Sequence, residues 1–315
     1  MRAATMLGLG AHRPAQRADN HAIAERIGSS DEWITSRSGI VTRGVAGPDE
    51  SVVEMGTLAG GKALAAAGVD AEDVGLVLLA TCSMPGPLPG GSPEIAHKLG
   101  ARHAGTTDIG AGCAGFTYAL ALAADTVRAG SADTVLVIGS EKLLPLVDPD
   151  DRGTAFLFGD GAAAAVVGLS DTGEDGIGRV VWSHEGGQAD RLVIDGSPML
   201  LKMDGRAIYR WATTALPDLA RRACANAGIE PADLAAFVPH QANLRITESV
   251  VKALDLPPSV VIARDVVDSG NTSAASVPLA LTRLVEEGSV RRGDPVLLLG
   301  FGAGLTAAGT VVRCP

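Results

Sequence analysis

The sequence is short of aromatic residues, of lysine and of positive charge. Only 3% of its 315 residues are aromatic, whereas glycine occurs 40 times, so the core must be packed largely from small side chains. Lysine contributes five of the 26 basic residues, and the formal net charge is −10. Nucleic-acid binders carry a basic footprint, so this balance argues against a nucleic-acid partner. An acidic protein partner would need a local basic patch, because the overall field repels it.

The four cysteines are scattered, with neither the spacing of a metal site nor the pattern of a disulfide framework. No apolar run is long enough to cross a bilayer, and the apolar stretch after Arg2 is too short for a signal peptide. We therefore expect a cytoplasmic protein with reduced thiols, no bound metal and no membrane partner.

The chain repeats itself at an offset of 160 residues. Residues 67–83 align without gaps with residues 227–243, and each segment reads as a helix end, an acidic turn and a buried strand. The similarity continues downstream as a turn, a helix rich in small residues and a strand, at 108–141 and again at 265–302. Strands that alternate with helices predict largely parallel sheets covered by helices. We expect an α/β protein of two duplicated halves, with a seam near residues 169–178.

Cys113 follows a Gly-rich turn between a short predicted strand at 107–109 and a predicted helix at 114–127. A free cysteine is usually a small buried hydrophobic residue. Here the N–H groups and dipole of a helix N-terminus would point at the sulfur, which lowers the pKa of a thiol. The pattern therefore predicts a reactive cysteine.

Two further groups stand at matching points of the second half. His240 ends the strand that corresponds to the one before Cys82, and Asn271 lies in the turn that corresponds to the one carrying Cys113. Functional groups gather at the carboxyl ends of strands in α/β folds. Halves packed about a pseudo-twofold axis would bring Cys113, His240 and Asn271 together. Each could be structural alone, since a lone His is often a core residue and Ser-Gly-Asn is often a turn.

These motifs resemble those of the thiolase superfamily and, within it, the β-ketoacyl-carrier-protein synthase III family. The resemblance spans nearly the whole chain. Its strongest strings are Ala114-Gly-Phe-Thr-Tyr-Ala-Leu, Phe158-Gly-Asp-Gly-Ala, His240-Gln-Ala-Asn-Leu-Arg-Ile, Ser269-Gly-Asn-Thr-Ser and Gly300-Phe-Gly-Ala-Gly. It implies a thiolase-like fold with duplicated βαβαβ-type halves, 1–170 carrying the nucleophilic Cys and 171–315 carrying the His and Asn, in five α-β-α-β-α layers.

The family chemistry implies a decarboxylative Claisen condensation of an acyl-CoA starter with malonyl-acyl-carrier protein, in fatty-acid initiation or polyketide priming. Cys113 would carry the acyl group as a covalent intermediate. The neutral donors His240 and Asn271 would stabilise the enolate that forms when carbon dioxide leaves. The backbone N–H groups of Cys113 and Ala303 would form the oxyanion hole. The resemblance also implies a homodimer and no cofactor beyond the coenzyme A and phosphopantetheine of the substrates.

Three groups of binding residues are carried over from the same resemblance. Positions that bind coenzyme A correspond to Trp33, Arg37 and Arg152, since a cationic plane over an aromatic ring can hold an adenine. Positions that dock carrier protein correspond to Arg210, Arg245 and Lys252, the last two on a predicted amphipathic helix at 242–254. Positions that line the acyl pocket correspond to Met84, Leu88 and Ala307. Leu88 and Ala307 replace bulkier family residues, which suggests a longer or branched acyl group.

Two other functions fit parts of the pattern. The first is an acyltransferase of the same fold that passes the acyl group to a hydroxyl, an amine or a carrier thiol without condensation. Asn271 argues against this function. Plain transfer needs His240 to be a strong base, which a carboxylate at position 271 would provide and the neutral amide of Asn271 does not. The second is a non-catalytic partner subunit, against which the presence of Cys113, His240 and Asn271 together argues.

Overall fold

Two five-stranded sheets, two two-stranded sheets and nine α-helices make up the structure, a computed structural model that describes residues 2–315. The strands are β1 Ala4–His12, β2 Gln16–Asp19, β3 Thr42–Val45, β4 Leu76–Ala80, β5 Gly105–Ile109, β6 Thr134–Glu141, β7 Gly161–Leu169, β8 Val181–His184, β9 Leu192–Asp195, β10 Leu200–Met203, β11 Ala236–Pro239, β12 Val261–Ile262, β13 Pro295–Gly302 and β14 Thr306–Arg313. The α-helices are α1 His21–Arg26, α2 Asp31–Ser38, α3 Val52–Ala67, α4 Ser92–Leu99, α5 Gly115–Ala129, α6 Gly205–Asn226, α7 Leu244–Leu254, α8 Val266–Ser269 and α9 Ser276–Glu286. Short 3-10 turns, Gly112–Ala114 and Ser273–Ala275, precede α5 and α9.

The two large sheets have the same strand order and the same strand directions. The first runs β1-β7-β6-β4-β5 and the second β8-β14-β13-β11-β12. In each, the last three strands are parallel and the first three antiparallel. This correspondence confirms the predicted duplicated α/β fold. The expectation of largely parallel sheets is wrong, because half of the strand pairings in the two large sheets are antiparallel. For example, the short turn 303–305 returns β14 directly alongside β13.

Helices and sheets alternate in five layers, as the resemblance predicted. Helices α3 and α4 pack on the outer face of the first sheet, around Leu64, Ile95 and Leu79. Helices α5 and α9 fill the space between the sheets. Helices α6 and α7 pack on the outer face of the second sheet. The boundary at residue 170 stays a prediction; the first sheet ends in sequence at Leu169 and the second begins at Val181.

Helix α5 is the central helix on which Cys113 depends. It is built mostly from Ala, Leu and Phe116, ends at Gly130 in the left-handed region that glycine adopts readily, and buries nine side chains or glycines. The predicted span 114–127 is therefore right to within two residues. One side reaches the surface, where Leu122 is exposed. Among the helices of residues 2–315, none is both long and apolar enough to cross a membrane.

Close backbone contact between β1 and α3 requires glycine in the strand. A Cβ added to Gly8 would lie 2.5 Å from the amide nitrogen of Ala67 and 2.8 Å from the carbonyl oxygen of Ala63. Both atoms belong to helix backbone, which cannot rotate away as a side chain can. This contact explains how a core with few aromatics is packed so closely.

Gly8→Ala should lower the free energy of unfolding by about 1–3 kcal/mol, because overpacking forces the strand and helix apart. Denaturant unfolding measures this difference. The matched control is Gly61→Ala, within α3, where an added Cβ first meets Leu99 at 3.7 Å. That change should raise stability by about 0.5–1 kcal/mol, since alanine favours helix over glycine. Equal effects of the two changes would contradict the packing argument.

Candidate active site

A cavity of about 1320 Å3 lies where the two halves meet. Cys113, His240 and Asn271 all line it, so the structure brings together the three groups that the sequence placed at equivalent points of a repeat. Ser273 and Ala303 also line it. Most of the remaining wall is apolar, which favours an acyl chain or another extended apolar group.

Cys113 lies in the 3-10 turn between β5 and α5, pressed against the end of β13. A Cβ added to Gly302 would lie 2.7 Å from Cys113 Cβ and 3.1 Å from its Sγ. Gly112, with φ of 49°, turns the chain beside Ala303. Cys113, in the first half, therefore lies directly against the backbone of the second half.

The Cys113 thiol is not activated in the way that the sequence suggested. Its pKa is raised to about 12, chiefly by burial and also by the nearby Glu141, whereas the Ser273 hydroxyl and the Cys113 backbone N–H lower it. The expectation of a lowered pKa is wrong because it considered the helix N-terminus alone. Loss of solvation in the closed site outweighs that local effect. The resting residue is a neutral thiol.

His240 is held as a neutral imidazole at the end of β11. Burial lowers its pKa to about 3. Its Nδ1 lies 2.6 Å from the Ser276 hydroxyl, whose oxygen also accepts the Gln241 N–H at 3.3 Å. We assign the Ser276 proton to the bond with Nδ1, which places the ring proton on Nε2. Phe301 packs edge-on against the ring, with centroids 5.0 Å apart.

Asn271 is fixed so that its amide nitrogen is the group left to donate. Its Oδ1 accepts the Ser273 N–H at 2.8 Å. Its backbone N–H donates to the Leu157 carbonyl at 2.8 Å, and its own carbonyl accepts the Gly159 N–H at 3.1 Å. With Oδ1 engaged, the Nδ2 protons are available to a ligand in the cavity.

Trp33 stands between two guanidinium groups on the surface. The Arg37 and Arg152 guanidinium carbons lie 4.7 and 5.0 Å from the centre of the Trp33 ring. The structure therefore brings these three predicted residues together. None of them lines the cavity itself. Asn243, the N-cap of α7, donates to the Arg37 carbonyl at 3.0 Å and so connects this cluster to α7.

This chain is similar in sequence to known proteins. Models of 3-oxoacyl-[acyl-carrier-protein] synthase III match residues 107–186, and models of its C-terminal part match residues 224–314. A β-ketoacyl-[acyl-carrier-protein] synthase III of Streptomyces coelicolor is 48% identical over 99% of this chain and 96% of its own. The chain belongs to the 3-oxoacyl-[acyl-carrier-protein] synthase III family.

Solved structures and other relatives agree with this assignment. The priming β-ketosynthase from the R1128 polyketide biosynthetic pathway superposes with a TM-score of 0.97 at 44% identity, covering 100% of this chain and 97% of that one. The synthase III of Pseudomonas aeruginosa superposes with a TM-score of 0.94 at 38% identity, covering 100% and 99%. A mycobacterial synthase III, from Mycobacterium avium, is 45% identical over 98% of this chain and 95% of its own. The recognition of this synthase III family from its motifs is therefore confirmed.

The three positions predicted to dock carrier protein lie on helices that pack together. Arg210 is exposed on α6, and Arg245 and Lys252 are exposed on α7. The Arg245 guanidinium lies 5.6 Å from the centre of the Tyr209 ring on α6. Within residues 2–315, none of the three forms an ion pair. The buried face of α7 consists of Ile246, Thr247, Val250 and Leu254.

Only one of the three predicted acyl-pocket residues lines the cavity of this synthase III family member. Met84 does so, beside Cys82 and Ser83. Leu88 is 86% exposed on the loop before α4, and Ala307 is fully buried in the core beneath α6. The prediction that Leu88 and Ala307 line the acyl pocket is not met within one chain. How far a loop extends and which face of a sheet a strand residue occupies both depend on tertiary packing.

Sequence reasoning also missed two polar residues of the site. Ser276 supports His240, and Glu141 is a fully buried carboxylate behind Cys113. The signal for Glu141 was a charged residue at the end of the otherwise apolar strand β6. Ser276 gave no comparable signal.

The imidazole of His240 should remain neutral well below its ordinary pKa of 6.5, since burial lowers that pKa to about 3. Nitrogen-15 NMR of the ring at pH 5 should show the neutral form, protonated at Nε2. As pH falls below 6.5, His240 is protonated in the unfolded chain but stays neutral in the folded one. Its contribution to stability is therefore present above pH 6.5 and lost as pH falls toward about 3. Protonation of His240 with a midpoint near pH 6.5 would contradict this assignment.

Proposed function

We propose that the protein condenses an acyl-CoA with malonyl-acyl-carrier protein through an acyl-Cys113 intermediate. One observation carries the proposal: a buried thiol and two neutral donors, His240 and Asn271, line the same cavity. The fold and family agree with it, and relatives bear the name β-ketoacyl-[acyl-carrier-protein] synthase III.

In the first half-reaction, Cys113 Sγ attacks the thioester carbonyl of the acyl-CoA. A bond forms between Sγ and the acyl carbon, the bond to the coenzyme A sulfur breaks, and the thiol proton leaves with coenzyme A. The carbonyl oxygen becomes an oxyanion in the transition state. The backbone N–H groups of Cys113 and Ala303, which lie on facing segments, are the donors for it.

In the second half-reaction, the malonyl group loses carbon dioxide and its thioester oxygen gains negative charge. His240 Nε2–H and Asn271 Nδ2–H donate to that oxygen, and both arrive preorganised because Ser276 and Ser273 fix their orientations. The resulting carbanion attacks the acyl carbon, the bond to Cys113 Sγ breaks, and the Cys113 thiolate takes up a proton from solvent. The reaction consumes the two thioesters and one proton.

Two surfaces would hold the carriers of these thioesters. The adenine of coenzyme A would stack on Trp33 between Arg37 and Arg152. The acidic carrier protein would dock on Arg210, Arg245 and Lys252. The chain carries a net charge of −10, so a group of exposed cations that form no ion pair within residues 2–315 is the feature that could attract such a partner.

A homodimer fits the edge of the first sheet. Strand β5 is the last strand of that sheet, and unpaired strand edges readily pair with another chain. The loop before α4 is held to β5 by Asp108, whose carboxylate accepts the N–H groups of Gly91 and Ser92. Leu88 of this loop is exposed. Leu122 of α5 is also exposed. A second copy paired along β5 would cover these apolar side chains.

Substitution of the three central residues should separate the half-reactions. Cys113→Ala should take up no acyl group from acyl-CoA. His240→Ala and Asn271→Ala should still form the acyl-enzyme but lose condensation by about 100-fold or more, because each removes an oxyanion donor. Intact-protein mass spectrometry measures the first step and a 3-ketoacyl product assay the second. Absence of 3-ketoacyl product from the wild type would refute the proposed function.

Reversal of one charge on α7 should weaken carrier-protein binding alone. Arg245→Glu should raise the KM for malonyl-acyl-carrier protein by about tenfold, with acylation by acyl-CoA unchanged, because loss of a complementary charge acts mainly on association. Steady-state kinetics at low salt measure this effect. The control is Arg222→Glu, on α6 but paired with Asp218, which should change neither value. A similar rise in both variants would contradict the docking surface.

A further inference from the structure

Helix α8 is a single turn that leads directly to Asn271 in the cavity. Gly270 alone stands between Ser269, the last residue of this helix, and Asn271. Its φ of 66° lies in the region that favours glycine, and a Cβ added to it would lie 3.2 Å from the Leu157 carbonyl oxygen. Because one residue in a fixed conformation joins them, the placement of α8 sets the placement of Asn271.

Arg13, which follows β1 in the first half, binds both ends of this helix. Its Nη1 and Nη2 donate to the two carboxylate oxygens of Asp265 at 3.0 and 2.9 Å. Nη1 also donates to the Ser269 hydroxyl at 2.8 Å, and Nη2 donates to the Leu279 carbonyl of α9 at 3.0 Å. Asp265 immediately precedes α8 and Ser269 ends it. One side chain of the first half therefore holds the whole of this short helix.

The Asp265 carboxylate is the buried centre of a charge network. It is 1% exposed, against 24% for the Arg13 side chain. Arg283 of α9 approaches the same carboxylate, with its Nε 2.8 Å from Oδ1, and its Nη1 donates to Asp268 at 2.7 Å. Two guanidinium groups thus balance two carboxylates, as a buried charge requires. A planar guanidinium paired with a carboxylate also fixes direction, so the network defines where α8 lies.

A second buried side chain supports only the start of α8. Gln241, which follows His240, is 1% exposed, and its Oε1 accepts the Val266 N–H at 3.1 Å. Val266 is the first residue of the helix. Arg13 differs because it also binds the last residue, the one nearest Asn271.

The network does not reach the nucleophile. Arg13, Asp265 and Arg283 all lie outside the lining of the cavity. Cys113 instead lies against Gly302 of β13, on a different segment of the second half. A change at Arg13 should therefore act on Asn271 and leave Cys113 in place.

We propose that Arg13 is a positioning residue for condensation, which acts through Asp265 and Ser269 to set the placement of α8 and so the direction of the Asn271 amide. The role in condensation rests on the proposed function, whereas the effect on the placement of residues 265–271 does not. A donor stabilises an oxyanion only where the charge develops, so a displaced Asn271 should cost rate rather than binding.

Hydrogen exchange of the unliganded protein tests this placement without any substrate. Arg13→Met keeps the apolar stem of the side chain and removes its donors. The amides of residues 269–271 should then exchange about tenfold faster than in the wild type, because the helix opens locally more often. The matched control is Arg128→Met. Arg128 is 25% exposed and pairs with Asp125 and Asp175, so its loss should leave this exchange unchanged.

Mass spectrometry of peptic peptides measures these rates. Unchanged exchange over residues 269–271 in Arg13→Met, or the same increase in Arg128→Met, would overturn the proposal. Arg13→Lys keeps the charge without the paired donors, so its exchange should lie between those of the wild type and Arg13→Met. Ser269→Ala removes only the bond at the end of α8 and should show the same direction of change if Arg13→Met does not fold.

The two half-reactions provide the second readout. Arg13→Met should lower the kcat of condensation about tenfold and leave both the acylation of Cys113 and the KM for acyl-CoA unchanged. Added to Asn271→Ala, the same change should lower kcat no further, because the donor that it positions is already gone. A merely structural role would lower activity equally in both backgrounds.

Two kinetic results would overturn the positioning role. One is an equal loss of acylation and condensation in Arg13→Met, and the other is a further tenfold loss when Arg13→Met is added to Asn271→Ala. If the wild type made no 3-ketoacyl product but Arg13→Met still exchanged faster over residues 269–271, the proposed function would fail and the role of Arg13 in placing α8 would stand.

Discussion

At two places the backbones of opposite halves of the fold meet with no room for a side chain between them, and the arrangement of the site around Cys113 depends on these contacts. Gly302 of β13 touches Cys113, and an added Cβ on Gly139 of β6 would lie 2.6 Å from the Ala274 carbonyl. Because the central helices carry small residues, the two sheets approach closely enough for their strand ends to share one cavity. The scarcity of aromatics in the sequence is a consequence of this packing.

The duplication gives the halves the same topology but different chemistry. The first half supplies the thiol and the buried Glu141 carboxylate, and the second supplies the neutral donors His240 and Asn271. A donor in place of a second carboxylate suits an oxyanion, which a negative neighbour would repel. Burial keeps His240 uncharged and the thiol of Cys113 protonated in the resting enzyme, so both groups start the reaction in their neutral forms.

The repeat in the sequence was sufficient to predict two duplicated α/β halves and the meeting of Cys113, His240 and Asn271, because both follow from strand ends in equivalent halves. The five layers followed from the family resemblance. Properties set by tertiary packing could not be predicted from the repeat. The helix N-terminus at Cys113 is a local signal, whereas the burial that raises its pKa comes from segments distant in sequence. The exposure of Leu88 and the burial of Ala307 depend equally on packing, and the hydrogen-bond partners of Glu141 come from two separate segments, residues 81–83 and Ala274.

The most direct test of the account is a single turnover of preformed acyl-enzyme. Acyl-Cys113, freed of acyl-CoA, would be mixed with malonyl-acyl-carrier protein labelled in the free carboxylate, and labelled carbon dioxide counted against acyl groups lost from the protein. The account predicts one carbon dioxide for each acyl group, with the acyl chain recovered as 3-ketoacyl-carrier protein. Loss of the acyl group from Cys113 to a carrier thiol, hydroxyl or amine without release of carbon dioxide would contradict it.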